Sequence, residues 1–470
     1  MLRKISTLKT YSIQFWSLSV FLGLIFLTGG SSRIDVQSLA VLRPVTVIFL
    51  GFAILTLQLK QIEKYSLLLL GLCSVIVLTL AHVIPVPFAA WSSLGAKTDL
   101  SAISQLSRSE GFFWSQYTLS PVEGWQTIAA LLIPLAILLL GVQLDRKERY
   151  LLLPILIGFA TLSGVIGLLQ SVGSPTGPLY FYRIGNNGSA TGFFANRNHA
   201  AILLACLIPL LAAFASSKAA TRDKQRVREL MCLAIGIFVI PLILVTGSRS
   251  GFVNGVIGLA AASALYVRPQ SNIAPKGQPN LVRQIRYFGG AAVIILGALT
   301  ILFARDKALV RFFTQSLDED GRAQFVWVSL DIISYFAPFG SGAGSFVQSY
   351  QLAEPLRLLD NSYLNRAHND WIETAVTFGI PGCFLLAAAL LCFIFRTYHL
   401  WRPGGEAKGG AILSRAAGIG IGMLALASFV DYPLRTPTMM AVMSVFALWF
   451  FNPDAPGGTT HRSLWRRRGC

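Results

Sequence analysis

Four short windows hold most of the side chains in this chain that are equipped to move protons or grip anions. The first is Arg366-Ala367-His368-Asn369-Asp370, which closes the longest hydrophilic stretch and precedes an apolar segment. Only five histidines occur in 470 residues. A neutral imidazole accepts a proton near neutral pH, the property a general base needs. Asp370 or Glu373 can orient or polarise that imidazole. His368 and Asn369 also fit a plain helix cap at a membrane boundary, with no chemistry attached.

The second window is Asn196-Arg197-Asn198-His199, rich in hydrogen-bond donors. Asn198 suits a helix cap, and His199 taken alone reads as structural. The third is Thr246-Gly247-Ser248-Arg249-Ser250-Gly251, a turn between two apolar runs. Arg249 there either snorkels to lipid headgroups or grips phosphate oxygens bidentately. The fourth places Arg322 after Asp318-Glu319-Asp320-Gly321 and ahead of Trp327. A surface ion pair and a second phosphate contact are both open to it. Gly340-Ser341-Gly342-Ala343-Gly344 invites a nucleotide-loop reading, but no strand precedes it and no Lys-Ser/Thr closes it. A flexible turn, or a backbone cradle for an anion, is the expectation.

The elements that carry these windows follow from composition. The chain is 54% hydrophobic and 13% charged, with a mean hydropathy of +0.61. That is a polytopic membrane protein rather than a soluble globule. Apolar runs, each long enough to cross a hydrocarbon core of about 30 Å, recur from end to end. Twelve are expected: about 11–29, 40–58, 65–85, 124–144, 150–171, 199–216, 230–248, 250–267, 288–304, 374–396, 412–430 and 436–452. They must be helices, because backbone groups in lipid need internal partners and no alternating barrel pattern is present. The first follows Arg3, Lys4 and Lys9 without a small-x-small cleavage site and reads as a retained helix.

Charge orients the bundle. With Met1 in the cytoplasm and the sides alternating, the inner segments hold 25 of the 39 Lys/Arg and 7 of the 21 Asp/Glu. The net +18 therefore falls on the inner face, as the positive-inside rule requires. Both termini are expected in the cytoplasm. The basic residues are topology signals whose neighbours are membrane lipids, and no nucleic-acid partner is needed to explain them. All four chemical windows fall on the outer face in this topology. The middles of the spans lack Asp, Glu, Lys and Arg, which counts against a proton- or ion-coupled transporter. No cysteine falls in an outer loop, and no Cys/His cluster has metal-ligand spacing, so neither disulfides nor a metal is expected. Three outer loops are large: 86–123, the Gly/Asn/Ser-rich 172–198, and 305–373, whose aromatic content argues for order.

Four motifs in this order resemble the O-antigen ligase/polymerase superfamily: Gly192-Phe193-Phe194-Ala195-Asn196-Arg197-Asn198-His199, then Thr246-Gly247-Ser248-Arg249-Ser250-Gly251, then Gly321-Arg322 with Trp327 and Pro338, then Ala367-His368-Asn369-Asp370 followed by Gly379-Ile380-Pro381-Gly382. The likeness runs from about 155 to 430, while the first four spans offer only compatible hydropathy. It implies an all-α, GT-C-like glycosyltransferase of the bacterial inner membrane with a partly helical periplasmic cap. The expected organisation is an N-terminal region 1–150, a catalytic membrane region 151–435, and a last helix with a basic tail, 436–470.

The resemblance further implies transfer of a glycan from undecaprenyl diphosphate to an acceptor hydroxyl at the periplasmic face, without metal or other cofactor. Polymerisation of surface-polysaccharide repeats is the leading expectation. Transfer to the lipid A core is the alternative, and a flippase of lipid-linked oligosaccharide is a further one. A chain-length regulator or a flippase would then be a partner. Arg249, Arg322 and His368 are the implied catalytic residues. Arg249 and Arg322, with Arg197, would hold the diphosphate, and Asn196, Asn198, His199, Asn369, Asp370 and Glu373 would support them.

Overall fold

The computed structural model describes residues 11–93, 114–267, 322–359, 363–402 and 409–452. Several sequence expectations fall outside that set: the apolar run 288–304, the middle of the outer loop 86–123, the acidic run 318–320 and the tail 453–470.

Among the described residues the chain is mostly helix, 73%. Seven helices are long and apolar enough to cross a membrane: Leu39–Thr56, Ser66–Val83, Pro121–Gly141, Arg146–Val172, Arg197–Ala215, Arg222–Val245 and Asp370–Trp401. Four shorter apolar helices, Ile13–Thr28, Phe325–Tyr335, Ala411–Ala427 and Pro437–Phe450, add to them. The run expected at 250–267 folds as the helix Arg249–Leu265. The only strands among the described residues are Pro85–Pro87 and Trp114–Gln116, an antiparallel pair.

The bundle is organised around helix 197–215. Every side chain from His199 to Ala215 is buried. A helix apolar all round belongs inside a bundle, where neighbours replace lipid on each face. Lipid tails are as apolar as leucine, so helices associate in a membrane through close packing rather than through release of water. Helix 249–265 shows how close. A Cβ on Gly251 would sit 2.3 Å from the Ala201 Cβ, and one on Gly258 2.9 Å from the Ala205 carbonyl. These two contacts make the helices parallel, with their N-termini at one end. Helix 409–427 closes the other side, with the Cys206 thiol 3.9 Å from the Gly420 carbonyl.

The glycine-rich segment 340–344 is neither a flexible turn nor an anion cradle, contrary to the sequence expectation. Its successive N–H groups already have partners. Ser341 donates to Val376 O at 2.8 Å, Gly342 to Thr377 O at 2.9 Å and Ala343 to the His82 Nδ1 at 3.1 Å. Its carbonyls accept from Tyr117, Thr118 and Leu119. Gly342 has φ 108°, and a Cβ there would lie 2.3 Å from the Thr118 Cα. The segment is thin because it is a splice between three passes of chain. Composition alone cannot separate a loop that must bend from one that must be narrow. Next to this splice helix 370–401 kinks at Gly379, and the freed Ile380 N–H donates to Pro338 O at 2.7 Å.

Candidate active site

One end of the bundle gathers five chain segments. Helix 13–28 finishes there, and Thr438 N–H and Ala195 N–H donate to the Gly29 and Gly30 carbonyls that follow it. Helices 197–215, 249–265 and 370–401 begin there. The connection 428–437 crosses beneath them and is tied to the last of these by Asp370 N–H donating to Ser428 O at 2.8 Å.

His368 sits immediately before helix 370–401. Asn369 caps that helix, its side chain accepting from the Trp371 and Ile372 N–H groups. The cap turns the chain sharply, and His368 takes φ 50°, a region non-glycine residues visit rarely and at a cost. Its side chain is 29% exposed, with Nδ1 3.8 Å from Asp431 Oδ1. A second imidazole approaches the same oxygen. The His199 Nε2 is also 3.8 Å from Asp431 Oδ1, at 1% exposure. The Tyr432 ring stands edge-on to both, with centroids 5.0 Å from His368 and 5.3 Å from His199. Asn196 and Asn198 join this group through interactions with Tyr432 and Asp431. Burial alone would raise the Asp431 carboxyl, but His199, His368 and Asn198 outweigh it and hold the group down at about 2. Burial pushes the Tyr432 phenol the other way, up to about 12, so it stays protonated.

The carboxylate facing His368 is therefore Asp431, and not Asp370 or Glu373 as the sequence suggested. Both of those are committed elsewhere. Asp370 accepts from the Arg435 Nε at 2.9 Å and from the Ser428 hydroxyl at 3.0 Å. Glu373, 1% exposed, accepts from the Arg366 Nη1 at 2.9 Å and the Ala367 N–H at 3.1 Å, with Arg435 Nη2 at 3.5 Å. A buried carboxylate needs such partners to remain charged. The result is an alternating network, Arg366–Glu373–Arg435–Asp370, that braces the backbone on either side of His368.

Arg197 and Arg249 lie at the same end, each the first residue of its helix. Asn196 caps one helix by accepting from Asn198 N–H, and Ser248 caps the other by accepting from Gly251 N–H. Neither first turn contains an acidic residue. A cation at a helix N-terminus opposes the helix dipole, typically by about 0.3–1 kcal/mol. The same place attracts a phosphate, because N–H groups and the dipole both favour an anion. Arg322 likewise opens the helix Arg322–Tyr335, with no acid in its first turn, and its side chain lies outside the described residues.

Asp431, Tyr432 and Arg435 were missed in the sequence, and Arg366 was seen only as part of the His368 window. One signal was available: 431–435 is a five-residue break between two apolar runs, and it holds both an acid and a base. Nothing local connects that break to His368.

Residues 233–387 match the O-antigen ligase family, Wzy_C. The matched stretch contains Arg249, Arg322, His368, Asp370 and Glu373. It begins after His199 and stops before Asp431. The match supports the superfamily resemblance and, with it, a polysaccharide-related glycosyl-transferring activity in a multi-pass membrane protein. No curated protein matches the chain.

Proposed function

We propose that this chain transfers a glycan from undecaprenyl diphosphate to an acceptor hydroxyl, at the periplasmic face of a bacterial inner membrane. The observation that carries the reading is the pairing of His368 with buried Asp431, at the bundle end where Arg197 and Arg249 open helices without an acid in the first turn. The opposite end is rich in arginine and lysine, so the positive-inside rule supports a periplasmic position for the site.

In this mechanism the His368 Nδ1 faces Asp431, and Nε2 takes the proton of the acceptor hydroxyl as its oxygen attacks the anomeric carbon. Asp431 stabilises the imidazolium that forms. The bond from the anomeric carbon to the diphosphate oxygen breaks, and the electron pair leaves with the lipid diphosphate. Arg249 stabilises that charge, together with Arg197 and Arg322. Fixed guanidinium charge acts where negative charge develops.

The acceptor divides two versions of this reaction. Polymerisation, in which the hydroxyl belongs to another lipid-linked repeat, is our leading version. Ligation to lipid A core is favoured by the description of the matching family. Purified protein in liposomes, supplied with a polyprenyl-diphosphate-linked oligosaccharide, tests the transfer itself: new product that vanishes in Arg249→Ala and His368→Ala is expected. Undiminished product in both variants would overturn the assignment. In cells, loss of the chain leaving single repeats on the lipid indicates polymerisation, and long unattached glycans indicate ligation.

A further inference from the structure

His199 makes no hydrogen bond of ordinary length among the described residues, its Nε2 lying 3.8 Å from Asp431 Oδ1, although its side chain is 1% exposed. The Asp431 carboxylate is buried as well, with both imidazoles and Asn198 around it. Unmet polar atoms inside a protein are costly, and functional sites are where such costs persist. His199 comes from the first turn of the central helix, so its backbone is among the best-fixed in the molecule. It meets Asp431 at the same distance as His368 does, on the same carboxylate oxygen.

We infer that His199 is a positioning residue for the proposed transfer, setting through the shared Asp431 carboxylate how firmly His368 holds a proton. This rests on the reading of His368 as the acceptor base. One carboxylate serves two imidazoles. A proton on either one satisfies part of the charge on Asp431 and weakens its hold on a proton at the other. The groups around the three are Asn198 beside His199, the Tyr432 phenol between the rings, and the Arg366–Glu373 pair beyond it. Tyr432 stays neutral and Arg366 is matched by Glu373. His199 is thus the one ionisable side chain that the central helix sets against Asp431 among the described residues.

The arrangement tunes the base in a useful direction. A base that shared its carboxylate with no one would hold its proton to higher pH and return it less readily between turnovers. The two facing nitrogens each lie 3.8 Å from one oxygen, and unit charges that close in a partly buried site interact enough to move a titration by about one pH unit or more.

Two measurements on the full-length protein in detergent or liposomes test this. In the first, the transfer rate is followed against pH for wild type, His199→Gln and Asp431→Asn. Glutamine keeps a donor toward Asp431 but cannot take a proton. The acid limb is expected to move upward by about one unit in His199→Gln, with the high-pH plateau within about threefold of wild type. It should move downward in Asp431→Asn. An unmoved limb in His199→Gln would reduce His199 to a structural role.

The second measurement is the NMR titration of the imidazole resonances in wild-type protein, which needs neither activity nor a variant that folds. The five histidines make assignment practical. Coupling predicts that His199 and His368 each show two inflections at shared pH values, whereas independent simple curves would overturn the inference. Coupled titration alongside a transfer rate untouched by His368→Ala would leave the coupling standing and remove the catalytic reading instead.

Discussion

The two ends of the bundle use arginine in opposite ways. At the end away from the site, four arginines finish helices. Arg396 donates to the Phe450 and Asn452 carbonyls at 3.0 Å each, Arg415 to Leu400, Arg149 to Leu144 and Arg228 to Ser217. Each guanidinium meets carbonyls at a helix C-terminus, where a cation suits the dipole. Arginines that open helices there are balanced: Arg146 has Glu148 in the first turn of its helix, and Arg222 has Asp223. At the site end Arg197 and Arg249 open helices with no such acid. At one end arginine meets helix-terminal carbonyls and first-turn acids, while at the other Arg366 and Arg435 are paired with Glu373 and Asp370 and only Arg197 and Arg249 begin helices without a first-turn acid. Composition counts all these arginines alike, and only their place along a helix tells anchor from binder.

Substitutions sharpen that contrast, beginning with the largest effect. His368→Ala should lower the transfer rate by about 10²–10⁴-fold, the usual worth of a general base, read as product formed per folded protein. Arg249→Ala should cost about 10²–10³-fold while leaving the thermal unfolding of the protein nearly unchanged. A smaller loss in Arg249→Lys than in Arg249→Ala would show that charge, more than the bidentate fork, is what the site uses. Arg396→Ala should do the reverse, lowering stability by about 1–3 kcal/mol through two lost hydrogen bonds with little change in rate per folded molecule. If Arg396→Ala abolished transfer at full stability, the division between the ends would not hold.

The smallest effect concerns acid. The Asp431 carboxyl is held below its unfolded value, so its contribution is present above about pH 4 and fades as pH falls toward 2. That contribution is at most about 2 kcal/mol. Asp431→Asn should therefore flatten the acid side of a stability-against-pH curve measured by chemical unfolding. An identical curve in both proteins would place the charge of Asp431 outside the stability of the folded state.

Much of this was legible in the sequence where residues stand out against their neighbours. His368, Arg249 and Arg197 are polar groups beside apolar runs, and charge counting put them on one face before any motif was considered. The supporting partners were not legible, for a physical reason. Asp370 and Glu373 are nearest to His368 along the chain, yet a helix start points them at Arg435 and Arg366. The carboxylate that reaches the imidazole arrives from 63 residues further on, where only packing against helix 197–215 brings it near. Glycine content misled in a similar way at 340–344, because close packing and flexibility ask for the same residue.

The tie between Gly29 and Thr438 has a consequence for the order in which the molecule can be finished. Helix 13–28 is made first, but its last turn accepts from Thr438, whose hydroxyl donates to Ile25 O at 3.1 Å. At roughly 5–20 residues per second, more than 20 s of synthesis separates the two partners. Asp431 and Arg435 arrive in that same late stretch. A nascent chain halted before them would already present Arg197, Arg249 and His368, but with no carboxylate behind the imidazole and with Asp370 still lacking its arginine. The proposed site thus gains its carboxylate and Arg435 from a connection made late, and a half-made chain would hold Arg197, Arg249 and His368 without that frame.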